Sequence, residues 1–86
     1  RGSGEFVRNK LLNLSRTEQN PRIIIDLRDI PIISSSFADE AFAKLFLEVG
    51  PLRFTQVFQM INMESTVEQL INRAITQRME AGNRTR

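Results

Sequence analysis

The 86-residue chain contains neither cysteine nor histidine, and these two absences narrow its chemistry sharply. Without cysteine there is no disulfide and no thiol nucleophile; without histidine the usual general base and the commonest metal ligand are missing. No apolar run approaches the length of a bilayer span. No charged n-region, apolar h-region and small-residue cleavage site open the chain, so a cytoplasmic protein away from membranes is expected. The four glycines are isolated or terminal, which leaves no glycine-rich loop to cradle a phosphate. With no nucleophile–base pair either, the expectation is that the chain is not an enzyme and takes no cofactor or metal.

At this length the chain is one domain at most, near the lower end of what a single hydrophobic core can hold. The expected domain is residues 1–86, with 82–86 a frayed tail. The formal charge of +2 is unevenly spread. Arg1, Arg8, Lys10, Arg16 and Arg22 outnumber Glu5 and Glu18 at the start, and Arg78, Arg84 and Arg86 outnumber Glu80 at the end. Basic ends attract nucleic acid or acidic protein surfaces. No aromatics interleave with these arginines as a single-strand stacking platform requires, so nucleic-acid binding ranks low and solubilising charge ranks first.

Hydrophobic spacing predicts the elements. Val7, Leu11 and Leu14 give residues 4–14 one apolar stripe of a short helix, and residues 15–21 read as a loop. Residues 22–27, Arg-Ile-Ile-Ile-Asp-Leu, read as a strand covered on both faces, because the branched run shows no alternation. Asp29, Ile30 and Pro31 end it. Ser34–Ser36 then precede residues 37–49, a helix with serine at its N-cap, Asp39 and Glu40 in its first turn, Gly50 at its end and Pro51 beyond. Ala38, Phe42, Leu45, Phe46 and Val49 form its deep face, and Glu40 and Lys44 an i, i+4 pair.

Residues 54–61 read as a second strand, joined to the first as a right-handed β-α-β unit. The Ser65-x-x-Glu68 spacing suggests a capping box, and Val67, Leu70, Ile71, Ala74 and Ile75 follow with helical period. The fold class is therefore α/β, a helix and then β-α-β with a C-terminal helix on a short sheet. Two strands leave open edges, so earlier strands, a second copy of the chain or a partner is expected to complete the sheet.

From Ile23 to Gly50 the string IIIDLRDIPIISSSFADEAFAKLFLEVG resembles the bacterial STAS-like domain family, in which an Asp-containing strand leads through a short loop to Ser-Ser-Ser-Phe-Ala-Asp-Glu and a helix. The segment from Ile61-Asn62 through Val67, Leu70-Ile71, Arg73-Ala74-Ile75 and Gln77-Arg78 is similar to the family's closing helix, and residues 1–12 to the helix before its first strand here. The family is similar in turn to the STAS domains of anti-sigma-factor antagonists, whose regulatory serine lies in an Asp-Ser-Ser/Thr-Gly-Leu motif at a helix start. Aligned with it, Ser34 stands at the Asp and Phe37 at the Gly. The resemblance implies a regulatory protein-interaction module whose partner is a histidine-kinase-like (GHKL) ATPase or an anti-sigma-like protein.

The same residues carry their own physical reading. A helix N-terminus presents unpaired N–H groups and about half a positive charge, so it suits an acidic partner side chain or an added phosphate. Ser34, Ser35 and Ser36 are the candidate contact and phosphorylation residues, with capping alone as the plainer alternative. Phe37 beside them is either core or an interface anchor, and Asp39 joins the candidate surface. Asp39 and Glu40 point about 100° apart on a helix and cannot converge as a catalytic or metal-binding pair. Asp26, within an apolar strand, needs a partner if buried and is expected to support Ser34–Ser36 by accepting their hydrogen bonds. Arg73 and Arg78 are expected on the solvated face, with the grip of an acidic partner as the lesser alternative. The remaining alternative is an oligomerisation domain, and a homodimer is expected in which the open sheet and the apolar surface of 37–49 pair two chains.

Overall fold

A computed structural model describes residues 2–17 and 21–84, and side chains through Ala81. The elements run α1 (Ser3–Arg16), β1 (Ile23–Asp26), α2 (Ser35–Ala38), a π-helical turn (Asp39–Ala43), α3 (Lys44–Val49), α4 (Pro51–Val57), β2 (Phe58–Ile61) and α5 (Ser65–Arg84). This is a mixed α/β domain with a two-stranded parallel sheet. Among the described residues no helix is long and apolar enough to cross a membrane.

From α2 through α3 the chain is one continuous helix, and it is the hub of the fold. α1 packs on one side of its π turn and α5 on another. The turn is wide because the Lys44 N–H reaches back five residues to the Asp39 carbonyl. That extra residue lets Ala41, Phe42 and Ala43 all be buried in succession, together with Ala38 and Leu45, where a regular helix would swing one of three consecutive residues outward. α1 can come this close only because its contact residue is Gly4. A β-carbon there would lie 2.7 Å from the Glu40 Cβ.

The apolar stripe of α1 differs from the expected one. Leu11 and Leu12 are buried and Val7 packs against the core, while Leu14 is largely exposed. Ser15 is buried and satisfies its hydroxyl by donating to the Leu12 carbonyl at 2.7 Å. The loop expected at 15–21 is corrected at its start, since Ser15 and Arg16 close α1, and residues 18–20 lie outside the described residues.

β1 pairs with β2 in the register Ile23 to Phe58 through Asp26 to Ile61. Ile23 and Ile25 pack inward, but Ile24 is 58% exposed and Asp26 is exposed as well. The two-sided burial expected of this strand is therefore corrected to one-sided burial. Branched residues favour the extended backbone on either face, so an unbroken isoleucine run does not by itself report two covered faces.

The second correction concerns residues 54–57, expected as strand and found in α4. Gly50, with φ 91° and ψ 152°, ends α3 and turns the chain so that Pro51 opens a new helix at its first position. Pro51 thus starts an element as well as stopping one. Phe54 and Val57 are buried one turn apart. Phe54 stacks between Phe46, 5.2 Å away between ring centroids, and Phe58 at 5.3 Å, so tertiary aromatic packing outweighs local strand preference.

In α5 the expected face holds: Val67, Ile71 and Ala74 are buried, and Ile75 packs against the core. Ser65 lies inside the first turn, and the Glu68 N–H bonds to the Glu64 carbonyl, so the helix entry sits one residue earlier than the capping-box spacing suggests. The backbone stays helical past Ala81 to Arg84.

Candidate functional site

Ser34 adopts an extended backbone, φ −79° and ψ 157°, and its Oγ accepts the Phe37 N–H at 3.0 Å. It is the N-cap of the hub helix. Its Oγ also lies 3.2 Å from the Ser36 Oγ. All three serines are exposed, so the helix start faces solvent and Ser35 carries no capping duty.

Ser35 and Ser36 line one wall of a cleft of about 450 Å³ whose other wall is α5, through Leu70, Arg73, Ala74 and Gln77. Asp39 sits in the same cleft. On its other side Ser36 borders a second hollow lined by Gly2, Glu5 and Glu40. Ser36 therefore stands between an acidic wall and an arginine-bearing one, whereas Ser35 faces the latter alone.

Asp39 accepts two hydrogen bonds from Arg78, from Nε to Oδ1 at 2.7 Å and from Nη2 to Oδ2 at 2.6 Å. This bidentate grip holds the Asp39 carboxyl below the ordinary carboxylate range and raises the Arg78 guanidinium above its own. Arg78, expected on the solvated face, thus ties α5 to the π turn. Glu40 turns elsewhere: it accepts from Lys44 at 2.7 Å and from Arg8 at 3.2 Å. Its carboxyl is likewise lowered, chiefly by Lys44. The two acids diverge, and among the described residues no group of three acidic side chains is placed to hold a metal.

Two other candidates sit differently from expectation. Asp26 does not meet the serines. Strand alternation puts it on the uncovered face beside Ile24, where Oδ1 accepts from Asn62 Nδ2 at 3.1 Å and from the Arg28 N–H at 3.0 Å. The Asn62 contact is the main cause of its lowered pKa. Its role is to fasten the ends of β1 and β2, where Asn62 takes a left-handed φ of 60°. Phe37 is half-buried, edge-to-face on Phe42 at 6.0 Å, and lines an apolar groove with Val7, Ile25, Leu27 and Ile32. It offers that groove part of its ring instead of standing free.

The serines were legible as a helix start, but Arg73, Gln77 and Arg78 were not legible as their neighbours. The available signal was Asp39 in the first turn after the serines, a carboxylate that the helix end accommodates and that an arginine of another element can also pair.

Residues 3–68 match the family described as STAS-like domain of unknown function (DUF4325). The chain belongs to this family. The match runs from α1 into the first turn of α5, so it includes Ser34–Ser36 and Asp39 but stops short of Arg73, Gln77 and Arg78. No curated protein and no solved structure matches the chain. The α/β architecture is that expected of a STAS-like domain, with the serine-led helix following β1.

Proposed function

We propose that this STAS-like domain is a non-enzymatic, cytoplasmic regulatory module that binds another protein through Ser35, Ser36 and the cleft they share with α5. The supporting observation is the exposed hydroxyl-lined helix start: Ser34 alone caps the helix, leaving Ser35 and Ser36 beside Arg73 and Gln77. An acidic partner side chain entering this cleft would meet the positive helix end and an arginine together. The STAS-like family's resemblance to anti-sigma-factor antagonists favours a histidine-kinase-like ATPase or an anti-sigma-like protein as that partner.

Phosphorylation fits the same place as a switch. A phosphate on Ser35 would fill the cleft with about −1.5 to −2 charges and occupy the arginine wall that the partner needs. On Ser36 it would also press against Glu40 and Glu5.

The test is recovery of partners by tagged wild-type, Ser35→Asp, Ser36→Asp and Arg73→Glu chains from native extract, with quantification by mass spectrometry. A histidine-kinase-like ATPase or anti-sigma-like protein recovered by the wild type and lost from Ser35→Asp and Arg73→Glu supports the reading. Equal recovery by all four chains overturns this surface.

A further inference from the structure

The π turn puts the hub helix out of step with the ordinary hydrogen-bond ladder. In a regular α-helix the Lys44 N–H would serve the Glu40 carbonyl, four residues back, but here it goes to the Asp39 carbonyl. The Glu40 carbonyl is served from another element. Arg8 of α1 donates to it from Nη1 at 2.9 Å, nearer than the 3.2 Å from the same nitrogen to the Glu40 carboxylate Oε1. The Arg8 side chain is only 14% exposed, so its guanidinium is directed at the hub and not at solvent. Gly4 lies one turn before Arg8 on the same face of α1, and its missing β-carbon lets the two helices close to this distance. The Glu40 carboxylate does not depend on Arg8, since Lys44 Nζ donates to its Oε2 at 2.7 Å.

We propose that Arg8 is a positioning residue that selects the register of the hub helix, so that the docking of α1 sets the direction in which the serine end points. A part-buried carbonyl left without a donor costs about as much as a lost hydrogen bond, a penalty that the wide turn carries and an ordinary helix does not. Arg8 offsets it with a charge-assisted bond. In the α register the Lys44 N–H returns to the Glu40 carbonyl, and the guanidinium gains less there. A contact that is stronger in one of two states shifts the population toward that state. The preceding residue is held from a different helix, since Arg78 of α5 grips Asp39. Arginines from two helices thus pin two successive residues of the turn. Lifting α1 off the hub releases Glu40, and the Lys44 N–H then moves to its carbonyl, turning Ser34–Ser36 by about 100° relative to Leu45. This coupling lies within the domain and is independent of the partner proposed for the serine cleft.

NMR couplings transmitted through hydrogen bonds, from a donor nitrogen to the acceptor carbonyl carbon, read the register directly in the isotope-labelled full chain. In the wild type the Lys44 nitrogen is expected to couple to the Asp39 carbonyl and an Arg8 guanidinium nitrogen to the Glu40 carbonyl. Arg8→Met keeps the apolar stem and removes the donors. It is expected to transfer the Lys44 coupling from Asp39 to Glu40 and to shift the amide signals of residues 35–39. Glu40→Gln removes the carboxylate charge and leaves the backbone carbonyl, so it is expected to keep the wild-type couplings, which separates the carbonyl bond from the ion pair. A Lys44 coupling that stays on Asp39 in Arg8→Met overturns the proposal. So does its loss without transfer in a chain that circular dichroism shows folded, or a Glu40→Gln chain that changes register as Arg8→Met does. Should Arg8→Met fail to fold, the wild type decides: absence of the coupling from Arg8 to the Glu40 carbonyl overturns the assignment, and its presence together with the Lys44 coupling to Asp39 supports it.

Discussion

Arg78, near the end of α5, grips Asp39 in the π turn through two short hydrogen bonds, and so fastens the last helix to the hub at the border of the serine cleft. The pair is partly exposed, which moderates its contribution to stability. Loss of either partner, as in Asp39→Asn or Arg78→Ala, is expected to cost about 1 kcal/mol by urea denaturation. Arg78→Lys should recover only part of that, since an ammonium cannot reproduce the two-pronged contact.

The same pair sets a pH dependence with a definite sign. The folded state holds Asp39 below its ordinary pKa, so it binds fewer protons than the unfolded chain and gains stability as pH rises. That contribution is complete above the unfolded value near 4 and is lost as pH falls through the depressed folded value. Urea midpoints measured from pH 6 down to pH 2 should fall for the wild type, and less steeply for Asp39→Asn.

Gly4→Ala tests the approach of α1 to the π turn. Alanine is the better helix former by up to about 1 kcal/mol, but its Cβ would meet Glu40 Cβ at 2.7 Å, close to the hub backbone. Overpacking is expected to prevail, with a net loss of about 1–2 kcal/mol in chemical denaturation.

At Gly50 the obstacle is conformation, since nothing lies within 4 Å of a β-carbon there. A backbone at φ 91° and ψ 152° belongs to a region that is essentially glycine's alone. Gly50→Ala is expected to lower stability by about 1–3 kcal/mol, and the thermal midpoint reads it directly.

Of the three serines, Ser34 alone caps the helix. Ser34→Ala removes the acceptor for the Phe37 N–H and should cost about 0.5–2 kcal/mol. Ser35→Ala and Ser36→Ala are expected to stay within about 0.5 kcal/mol of wild type. If Ser35→Ala nonetheless abolishes partner recovery, the loss is one of contact and not of folding.

Local signals in the sequence carried the helices at both ends, the parallel pairing of two strands and the serine cap, because periodicity and capping chemistry are short-range. Non-local packing decided the rest. Phe54 has strand-forming chemistry, yet Phe46 and Phe58 flank it in space and hold it in a helix. Asp26 read as buried because its neighbours are isoleucines, but only one face of β1 is covered. The cleft was half legible for a like reason: Ser35 and Asp39 belong to one segment, while Arg73 and Arg78 reach them from a helix more than thirty residues onward.

The widened turn at residues 39–43 makes the hub a helix of two phases. Ahead of it the side chains are timed to the serine end and to Arg78; behind it they are timed to Leu45 and the stacked phenylalanines. Winding the same residues as a regular α-helix would rotate one half against the other by about 100°. The serine end and the aromatic core would then no longer face their neighbours together, so the wide turn sets a spacing in the domain as specific as any side chain in it.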